Sequence, residues 1–312
     1  MRASPVVIAG PTGSGKSELA LLLAERIGGE IVNYDSVQLY RDFDIGSAKP
    51  PLAARSRVPH HLYDVIDPRE PWNAADYARV AGPICAEIEN RGKRVLLVGG
   101  TGFYLRALLS GLPEMPGRDD AIRERLRRLM RTDRGQARLH RWLGRVDPAA
   151  ASKIAPADRN RLERALEIWI LTAKPITSWT PPAASAPARV VTKLALRMPR
   201  PLLNERIDQR VASMYEAGLV EETRELLSRY PDSARAFGSI GYAEAVRVVR
   251  GELDEDAAMA ETRRRTRAYA KRQMTWLRGE RDVHWIEAAD GPEFMLEQAL
   301  AVLDQTVAPD KP

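Results

Sequence analysis

The stretch that decides the fold is Val6-Val7-Ile8-Ala9-Gly10-Pro11-Thr12-Gly13-Ser14-Gly15-Lys16-Ser17, near the start of a chain of 312 residues. Its last eight residues match the pattern G-x-x-x-x-G-K-[S/T], between a short apolar run and a segment with helical periodicity. The glycines let backbone N–H groups converge on phosphate oxygens, while Lys16 supplies positive charge and Ser17 a hydroxyl for Mg²⁺. This stretch therefore predicts a strand, a phosphate-binding loop (P-loop) and a helix.

Further apolar runs extend this unit into a sheet. Ile31-Val32-Asn33-Tyr34, Val95-Leu96-Leu97-Val98 and Thr192 to Met198 have the pattern of buried strands, and helical segments such as Ala74 to Arg91 separate them. We predict an α/β fold: a P-loop-type parallel sheet flanked by helices, with an all-helical insertion domain.

The insertion is predicted from a change in sequence texture. Charged helical segments at Asp119 to Arg131 and Asp158 to Thr172 are followed by an alanine- and proline-rich loop, Thr180 to Pro187. The predicted domains are residues 1–113 with 189–312 as the P-loop core and residues 114–188 as the insertion. Arg200 to Tyr230 and Asp254 to Arg278 are predicted to be long amphipathic helices that return to the core.

Composition restricts the classes of partner and compartment. Lys and Arg total 48 against 42 Asp and Glu, so the net charge of +6 favours a polyanionic partner without showing one. The single cysteine, Cys85, excludes an internal disulfide framework and a multi-cysteine zinc site. With no signal-peptide pattern and no apolar run that could span a bilayer, we expect a cytoplasmic protein without membrane association.

The P-loop does not specify which phosphorylated molecule it holds. A P-loop ATPase needs an acidic residue at the end of a second strand to hold Mg²⁺, but the candidate strand here ends Val98-Gly99-Gly100-Thr101-Gly102. A carboxylate appears instead at Asp35, just after the second strand and so near the sheet edge where ligands bind. The local sequence leaves three roles open for Asp35: metal ligand, turn-forming residue and general base.

A basic face is predicted on the last long helix. Arg264, Arg267, Lys271 and Arg278 have the spacing of one helical face, and Ala270, Met274 and Leu277 that of an apolar one. Such a face suits RNA, and a merely solvated face is the simpler alternative. Aromatic Tyr269 and Trp276 lie in the same helix.

Several separate motifs resemble the bacterial tRNA dimethylallyltransferases, over about residues 5 to 285. Besides the P-loop, these motifs are Asp35 to Arg41, Asp44 to Pro50, Pro59 to Leu62, Leu97 to Gly102, Asn160 to Glu167, Ile207 to Val211, Ile240 to Tyr242 and Tyr269 to Arg278. The resemblance implies an enzyme that transfers a dimethylallyl group from dimethylallyl diphosphate to N6 of an adenosine. That adenosine lies immediately 3′ of the anticodon, at tRNA position 37, in tRNAs that read codons beginning with U.

The resemblance also implies the roles of site residues. Gly10, Pro11, Thr12, Gly13, Ser14, Gly15, Lys16, Ser17 and Arg210 would bind the donor diphosphate, with Mg²⁺ at Ser17. Asp35 would be the general base, assisted by Thr101 near the bridging phosphate oxygen and by Lys16. Asp35 and Thr101 are also expected to contact the tRNA. The full set of expected tRNA contacts is Asp35, Ser36, Val37, Gln38, Thr101, Arg123, Asn160, Arg161, Leu162, Glu163, Arg164, Ile240, Gly241, Tyr242, Lys271, Arg272, Gln273, Trp276 and Arg278. The target adenine must leave its stack to reach Asp35. We expect a monomer that binds the anticodon stem-loop.

Three other functions compete with this one. A small-molecule kinase would use the same loop with ATP, but it needs the missing acidic strand end. An adenylate isopentenyltransferase would prenylate a free nucleotide, which has no use for a basic face or a long insertion. A non-catalytic RNA-binding protein has no reason to place a P-loop, Asp35 and Thr101 around one cleft.

Overall fold

The computed structural model describes residues 4–179 and 190–307. The chain divides into two compact units, Met1–Leu109 with Arg189–Pro312, and Ser110–Ala188. We call the first unit the core unit and the second the helical unit. The predicted loop Thr180 to Pro187 lies outside the described residues.

The core unit contains a parallel sheet. In the described residues the sheet has six strands in the order β3-β2-β4-β1-β5-β6. The strands are β1 (Val6–Ala9), β2 (Gly29–Asn33), β3 (His60–His61), β4 (Arg94–Val98), β5 (Thr192–Arg197) and β6 (Val283–Glu287). Since β1 pairs with both β4 and β5, the P-loop follows the centre of the sheet. The predicted α/β fold is confirmed, and the sequence reading missed β3 and β6.

Two hydrophobic cores cover the two faces of the sheet. Val6 and Ile8 of β1 belong to one core and Val7 and Ala9 to the other, as the alternation of side chains along a strand requires. All four residues are buried, which explains why the strand is apolar throughout.

Helices supply a large part of both cores, together with the other strands and the loops that follow them. The α-helices of the core unit are α1 (Lys16–Ile27), α2 (Leu52–Arg55), α3 (Ala74–Asn90), α4 (Gly102–Ser110), α9 (Arg200–Glu216), α10 (Leu219–Arg229), α11 (Tyr242–Val249), α12 (Glu255–Arg278) and α13 (Pro292–Val307). The single helix predicted over Arg200 to Tyr230 is wrong. Gly218 has a φ of 92°, a left-handed conformation that ends one helix and caps the next.

The described part of the helical unit consists of helices and their connections. Its α-helices are α5 (Asp120–Leu129), α6 (Asp133–Val146), α7 (Pro148–Ala151) and α8 (Arg159–Thr172). Asp119 and Asp158, which the sequence reading placed inside helices, are N-caps that accept backbone hydrogen bonds. Leu126, Leu139 and Leu143 pack with residues of α8 in a separate small core.

Candidate active site at the P-loop

The P-loop connects the end of β1 to the start of α1. Gly13 and Gly15 have φ values of 83° and 91°, which L-residues with side chains rarely adopt, so the loop requires glycine at both positions. No side chain caps the start of α1, and its first N–H groups are therefore left to bind an anion.

Lys16 lies in the wall of a small cavity beside this loop. Its Nζ donates a hydrogen bond to the backbone oxygen of Pro11 at 2.9 Å. Burial, followed by the positive charge of Arg210, lowers the pKa of Lys16 to about 7, and the negative charge of Asp35 opposes this shift. Burial also lowers the pKa of Arg210. Two cations so close together in a desolvated place favour a multivalent anion between them.

Asp35 lies just past β2, as the sequence predicted. Its backbone N–H donates to Asn33 Oδ1 at 2.9 Å, and its own Oδ1 accepts from the backbone N–H of Val37 at 2.9 Å. The second bond is the Asx-turn that the turn interpretation required. Asp35 nevertheless lines two neighbouring cavities, so the carboxylate has both a turn-forming contact and a face open to ligands.

The two cavities share Thr12, Asp35, Ser47, Arg210 and Tyr269 in their walls. The smaller one, about 80 Å³, also has Lys16 and Ser17 in its lining. The larger one, about 340 Å³, adds the aliphatic side chains Val37, Val211, Met214 and Ile240. A phosphate-binding compartment and a partly apolar compartment therefore meet at one carboxylate.

The turn after β4 brings Thr101 to this site. Thr101 Oγ1 accepts a hydrogen bond from the Ser36 backbone N–H at 3.0 Å and donates one to Ser36 Oγ at 3.2 Å. A Cβ atom at Gly99 would lie 2.7 Å from the carbonyl carbon of Tyr34, so only glycine allows this approach. Thr101 thus holds the segment that begins at Asp35.

Gln273 of α12 joins the P-loop to the same turn. Its Oε1 accepts from the Thr12 backbone N–H at 2.8 Å, and its Nε2 donates to the Gly100 carbonyl at 3.0 Å. A Cβ atom at Gly100 would lie 2.2 Å from Gln273 Nε2, and one at Gly102 would lie 2.4 Å from the Trp276 ring. The glycines at the end of β4 therefore make room for α12 in the place where a P-loop ATPase has its acidic residue.

The outward surface of α12 is less basic than the spacing predicted. Arg264 pairs with Glu261 and Arg267 with Asp208, whereas Lys271 and Arg278 are exposed and have no ion pair within the described residues. The predicted apolar face is confirmed, because Ala270 and Leu277 are buried and Met274 packs against them.

Other predicted tRNA contacts on the core unit divide into exposed and buried side chains. Arg272 is exposed, lines the larger cavity and lies over the Tyr269 ring at 5.6 Å, and Ile240 lines the same cavity. Trp276 is half-buried against the turn after β4. Gln273 is only 7% exposed and has both polar atoms bonded within the protein. It therefore acts inside the protein in this structure, not as an RNA contact.

Tyr242 is likewise a buried residue. It has no exposed surface, its hydroxyl donates to Glu222 at 2.5 Å, and it accepts from the Gly46 backbone N–H at 3.1 Å. Gly46 lines the larger cavity, and Gln38 donates to the neighbouring carbonyls of Ser47 and Ala48. Tyr242 and Gln38 therefore shape the cavity wall, and Tyr242 has no surface for the predicted RNA contact.

In the helical unit, most predicted tRNA contacts are used internally. Arg123 forms two hydrogen bonds, of 2.7 and 2.8 Å, with Glu167, whose side chain is fully buried. Glu163 pairs with Arg127, Arg164 bonds to Glu167 and to the Pro116 carbonyl, and Leu162 is in the core. Asn160 and Arg161 are exposed. Arg123, Leu162 and Glu163 hold this unit together instead of facing a partner.

Sequence reasoning missed three kinds of site residue. Tyr63 lines the smaller cavity, Ser47 lines both, and the aliphatic wall includes Met214. Burial, and then the charge of Asp35, raises the pKa of Tyr63. Tyr63 and Ser47 lie in or next to quoted motifs, which was an available signal. Met214 has the spacing of an ordinary helix core residue, so no local signal marks it.

These features define a P-loop α/β protein with a cavity suited to a phosphorylated ligand beside a carboxylate. The family model described as IPP transferase matches residues 38–280, and the one described as isopentenyl transferase matches residues 4–58. The chain belongs to the IPP transferase family.

Individual relatives agree with this assignment. A protein of Geobacter metallireducens named tRNA dimethylallyltransferase is 50% identical over 285 residues, which cover 90% of this chain and 92% of that protein. The crystal structure of a tRNA isopentenylpyrophosphate transferase of Bacillus halodurans is 34% identical and has a TM-score of 0.70, covering 97% of both chains. A structure of a eukaryotic dimethylallyltransferase acting on tRNA is 28% identical with a TM-score of 0.75, covering 99% of this chain and 81% of the other.

Proposed function

We propose that this protein transfers the dimethylallyl group of dimethylallyl diphosphate to N6 of the adenosine at position 37 of tRNAs that read codons beginning with U. The observation that carries the proposal is the meeting of the two cavities at Asp35. One compartment suits a diphosphate and the other has room for an allyl group and a base. The names of the family and of its relatives support the same reaction.

In the reaction, the N6 nitrogen attacks C1 of the allyl group and forms the new C–N bond. The C–O bond to the diphosphate breaks, and the electron pair leaves with the diphosphate. Lys16, Arg210 and the N–H groups at the start of α1 stabilise the charge that develops on this leaving group. Asp35 accepts the proton that N6 loses, and Thr101 holds the Asp35–Ser36 segment in place.

Mg²⁺ fits the smaller cavity. Within the described residues no cluster of three or more His, Cys, Asp or Glu side chains could hold a metal. Mg²⁺ in phosphate sites commonly takes one or two protein ligands and completes its shell with phosphate oxygens and water. Ser17, which lines that cavity, would supply one such ligand, and the ion would neutralise charge on the leaving diphosphate.

We propose a cytoplasmic location because the proposed substrate is tRNA. No described helix is long and apolar enough to cross a membrane. The partner surface on the core unit is Lys271, Arg272 and Arg278, which are exposed around the rim of α12. We further propose that the protein acts as a monomer.

The test is the reaction itself. Purified protein with Mg²⁺, dimethylallyl diphosphate and unmodified tRNA should release diphosphate and form N6-isopentenyladenosine, detected by mass spectrometry of the digested tRNA. No nucleoside triphosphate should be required. An absolute need for ATP, or transfer to free adenosine monophosphate in preference to tRNA, would refute the proposal in favour of a kinase or an adenylate isopentenyltransferase.

Asp35→Asn tests the base within that reaction. The amide keeps the shape and the turn but cannot accept the proton, so the single-turnover rate should fall by roughly 10²- to 10⁴-fold. Donor affinity should change little. A single-turnover rate equal to that of the wild type would leave Asp35 as a turn residue only.

A further inference from the structure

Tyr63 lies at the same edge of the sheet as the proposed reaction site. It follows β3 by two residues, as Asp35 follows β2, and the carboxyl ends of parallel strands meet at the edge where ligands bind. Tyr63 lines the smaller cavity there. The wall of that cavity also contains Lys16, Ser17 and Arg210. Tyr63 is therefore part of the compartment that suits a diphosphate.

The Tyr63 hydroxyl has no hydrogen-bond partner among the described residues. Burial, and then the negative charge of Asp35, raises the pKa of this phenol, so it stays protonated and remains a hydrogen-bond donor. Polar groups inside a protein are normally bonded, and one that is left unbonded in a polar cavity is available to a ligand.

The backbone on both sides of Tyr63 has an unusual conformation. Leu62 and Asp64 have φ values of 63° and 57°, in the left-handed region that residues with side chains rarely adopt. Such conformations persist where surrounding contacts enforce them, and they cluster at ligand sites. Asn33 provides one such contact, because its Nδ2 donates to the Leu62 carbonyl at 2.9 Å and its Oδ1 accepts from the Asp35 backbone N–H at 2.9 Å. One side chain thus fixes the segment of Tyr63 relative to Asp35.

The Tyr63 ring is held by two neighbouring side chains. The guanidinium carbon of Arg55 lies 5.6 Å from the centroid of the ring, a distance at which a cation is attracted to an aromatic face. The His60 ring centroid is also 5.6 Å away. Arg55 is in turn fixed by an ion pair with Asp64 at 2.6 Å. The phenol is therefore preorganised, and it loses little conformational entropy when a ligand binds.

We propose that the Tyr63 hydroxyl donates a hydrogen bond to the diphosphate of the donor. This inference rests on the proposed function, which supplies an allylic diphosphate as the substrate. Lys16 and Arg210 in the same wall are donors without acceptor atoms when they are charged. A ligand that bonds to these two side chains and to Tyr63 must therefore offer several acceptor oxygens, as a diphosphate does. The contact involves neither the allyl group nor the RNA.

Titration calorimetry with inorganic diphosphate and Mg²⁺, in the absence of tRNA, tests this contact. Tyr63→Phe keeps the ring and its contacts with Arg55 and His60, and removes only the hydroxyl. Because a hydrogen bond to a charged group is lost, the affinity for diphosphate should fall by about 10- to 100-fold. The affinity for dimethylallyl diphosphate should fall by the same factor, and the affinity for tRNA should equal that of the wild type.

Tyr77→Phe is the matched control. The Tyr77 hydroxyl also has no partner within the described part of the chain, but it is buried in the core and lines neither of the two cavities. Its removal should leave the affinity for diphosphate unchanged. Without ligand, Tyr63→Phe should melt at the wild-type temperature, because the hydroxyl bonds to nothing in the free protein. The rise in melting temperature caused by diphosphate should be smaller than in the wild type.

A second background distinguishes diphosphate from Asp35 as the acceptor. In Asp35→Asn, the further change Tyr63→Phe should weaken diphosphate binding by the same factor as in the wild type. If the loss of affinity disappeared in that background, Tyr63 would act through Asp35 and the inference would be wrong.

The outcomes also separate this inference from the proposed function. A wild-type diphosphate affinity in Tyr63→Phe, or a loss of affinity accompanied by a lower ligand-free melting temperature, would overturn the contact and leave the reaction untouched. A wild-type protein that binds dimethylallyl diphosphate through Tyr63 but transfers nothing to tRNA would refute the proposed function instead.

Discussion

Replacement of Gln273 by Met should weaken binding of the donor and leave binding of tRNA unchanged. Methionine has a similar length but cannot form the two hydrogen bonds, of 2.8 and 3.0 Å, to the Thr12 N–H and the Gly100 carbonyl. Gln273 is only 7% exposed. The two backbone groups would therefore lose partners that water replaces poorly. The P-loop would then lose its tie to α12.

The size of the effect follows from the cost of an unsatisfied buried group, about 1 to 3 kcal/mol. If the donor must restore the order of the loop at that cost, its affinity should fall by about 5- to 150-fold. Titration calorimetry with dimethylallyl diphosphate in the absence of tRNA measures this directly. The affinity for tRNA and its dependence on salt should equal those of the wild type.

A neighbouring residue provides the control for this experiment. Thr275 lies two positions further along α12 and is exposed, and among the described residues its hydroxyl bonds only to the Lys271 carbonyl. Thr275→Val should leave donor affinity unchanged. If Gln273→Met bound the donor normally and bound tRNA less tightly, the internal role of Gln273 would be wrong and the RNA contact suggested by its motif would be right.

Three further predictions concern charge and burial. In the free protein Lys16 has a pKa of about 7, and a bound diphosphate should raise this pKa. Donor affinity should therefore fall as the pH rises from 7 to 9. The fall should disappear in Lys16→Arg, and an identical pH dependence of donor affinity in both proteins would contradict this prediction. Glu167 is buried, which by itself raises its pKa, but hydrogen bonds from Arg123, Asp119 and Arg164 lower that pKa to about 2; its contribution to stability is therefore present above about pH 4.5 and lost as the pH falls towards 2. Arg123→Ala should accordingly lower the free energy of unfolding of the helical unit by roughly 3 kcal/mol, measured by urea titration. Binding assays should show an unaltered salt dependence of tRNA binding. A changed salt dependence with unchanged stability would restore the predicted RNA contact of Arg123. Tyr242→Phe removes the hydroxyl that bonds to Glu222 and Gly46. It should lower the free energy of unfolding by about 1 to 2 kcal/mol, measured by urea denaturation. A stability equal to that of the wild type would show that the cavity wall does not depend on these two bonds.

The sequence alone determined the features that depend on neighbouring residues. The P-loop was readable because its glycine conformations and its position between strand and helix are local properties of Gly10 to Ser17. The buried strands were readable for the same reason, since continuous apolar runs mark strands that are covered on both faces. The position of Asp35 after β2 followed from the order of these elements, and the resemblance of separate motifs indicated the family.

Only the tertiary structure decided which side chains face a ligand and which are used inside the protein. Arg123 and Glu167 are 44 residues apart, Gly46 and Tyr242 are 196 apart, and Thr12 and Gln273 are 261 apart. No local pattern shows that these residues are partners, so Arg123, Tyr242 and Gln273 were predicted to contact RNA. Exposed arginines of α6, such as Arg138, show the converse, because they were distinguishable from Arg127 of α5 only when the partner of Arg127, Glu163, was known. Burial and pairing depend on residues brought together from distant parts of the chain. For this reason the fold could be predicted from the sequence, but which charged and polar side chains bind ligands and which bond within the protein could not.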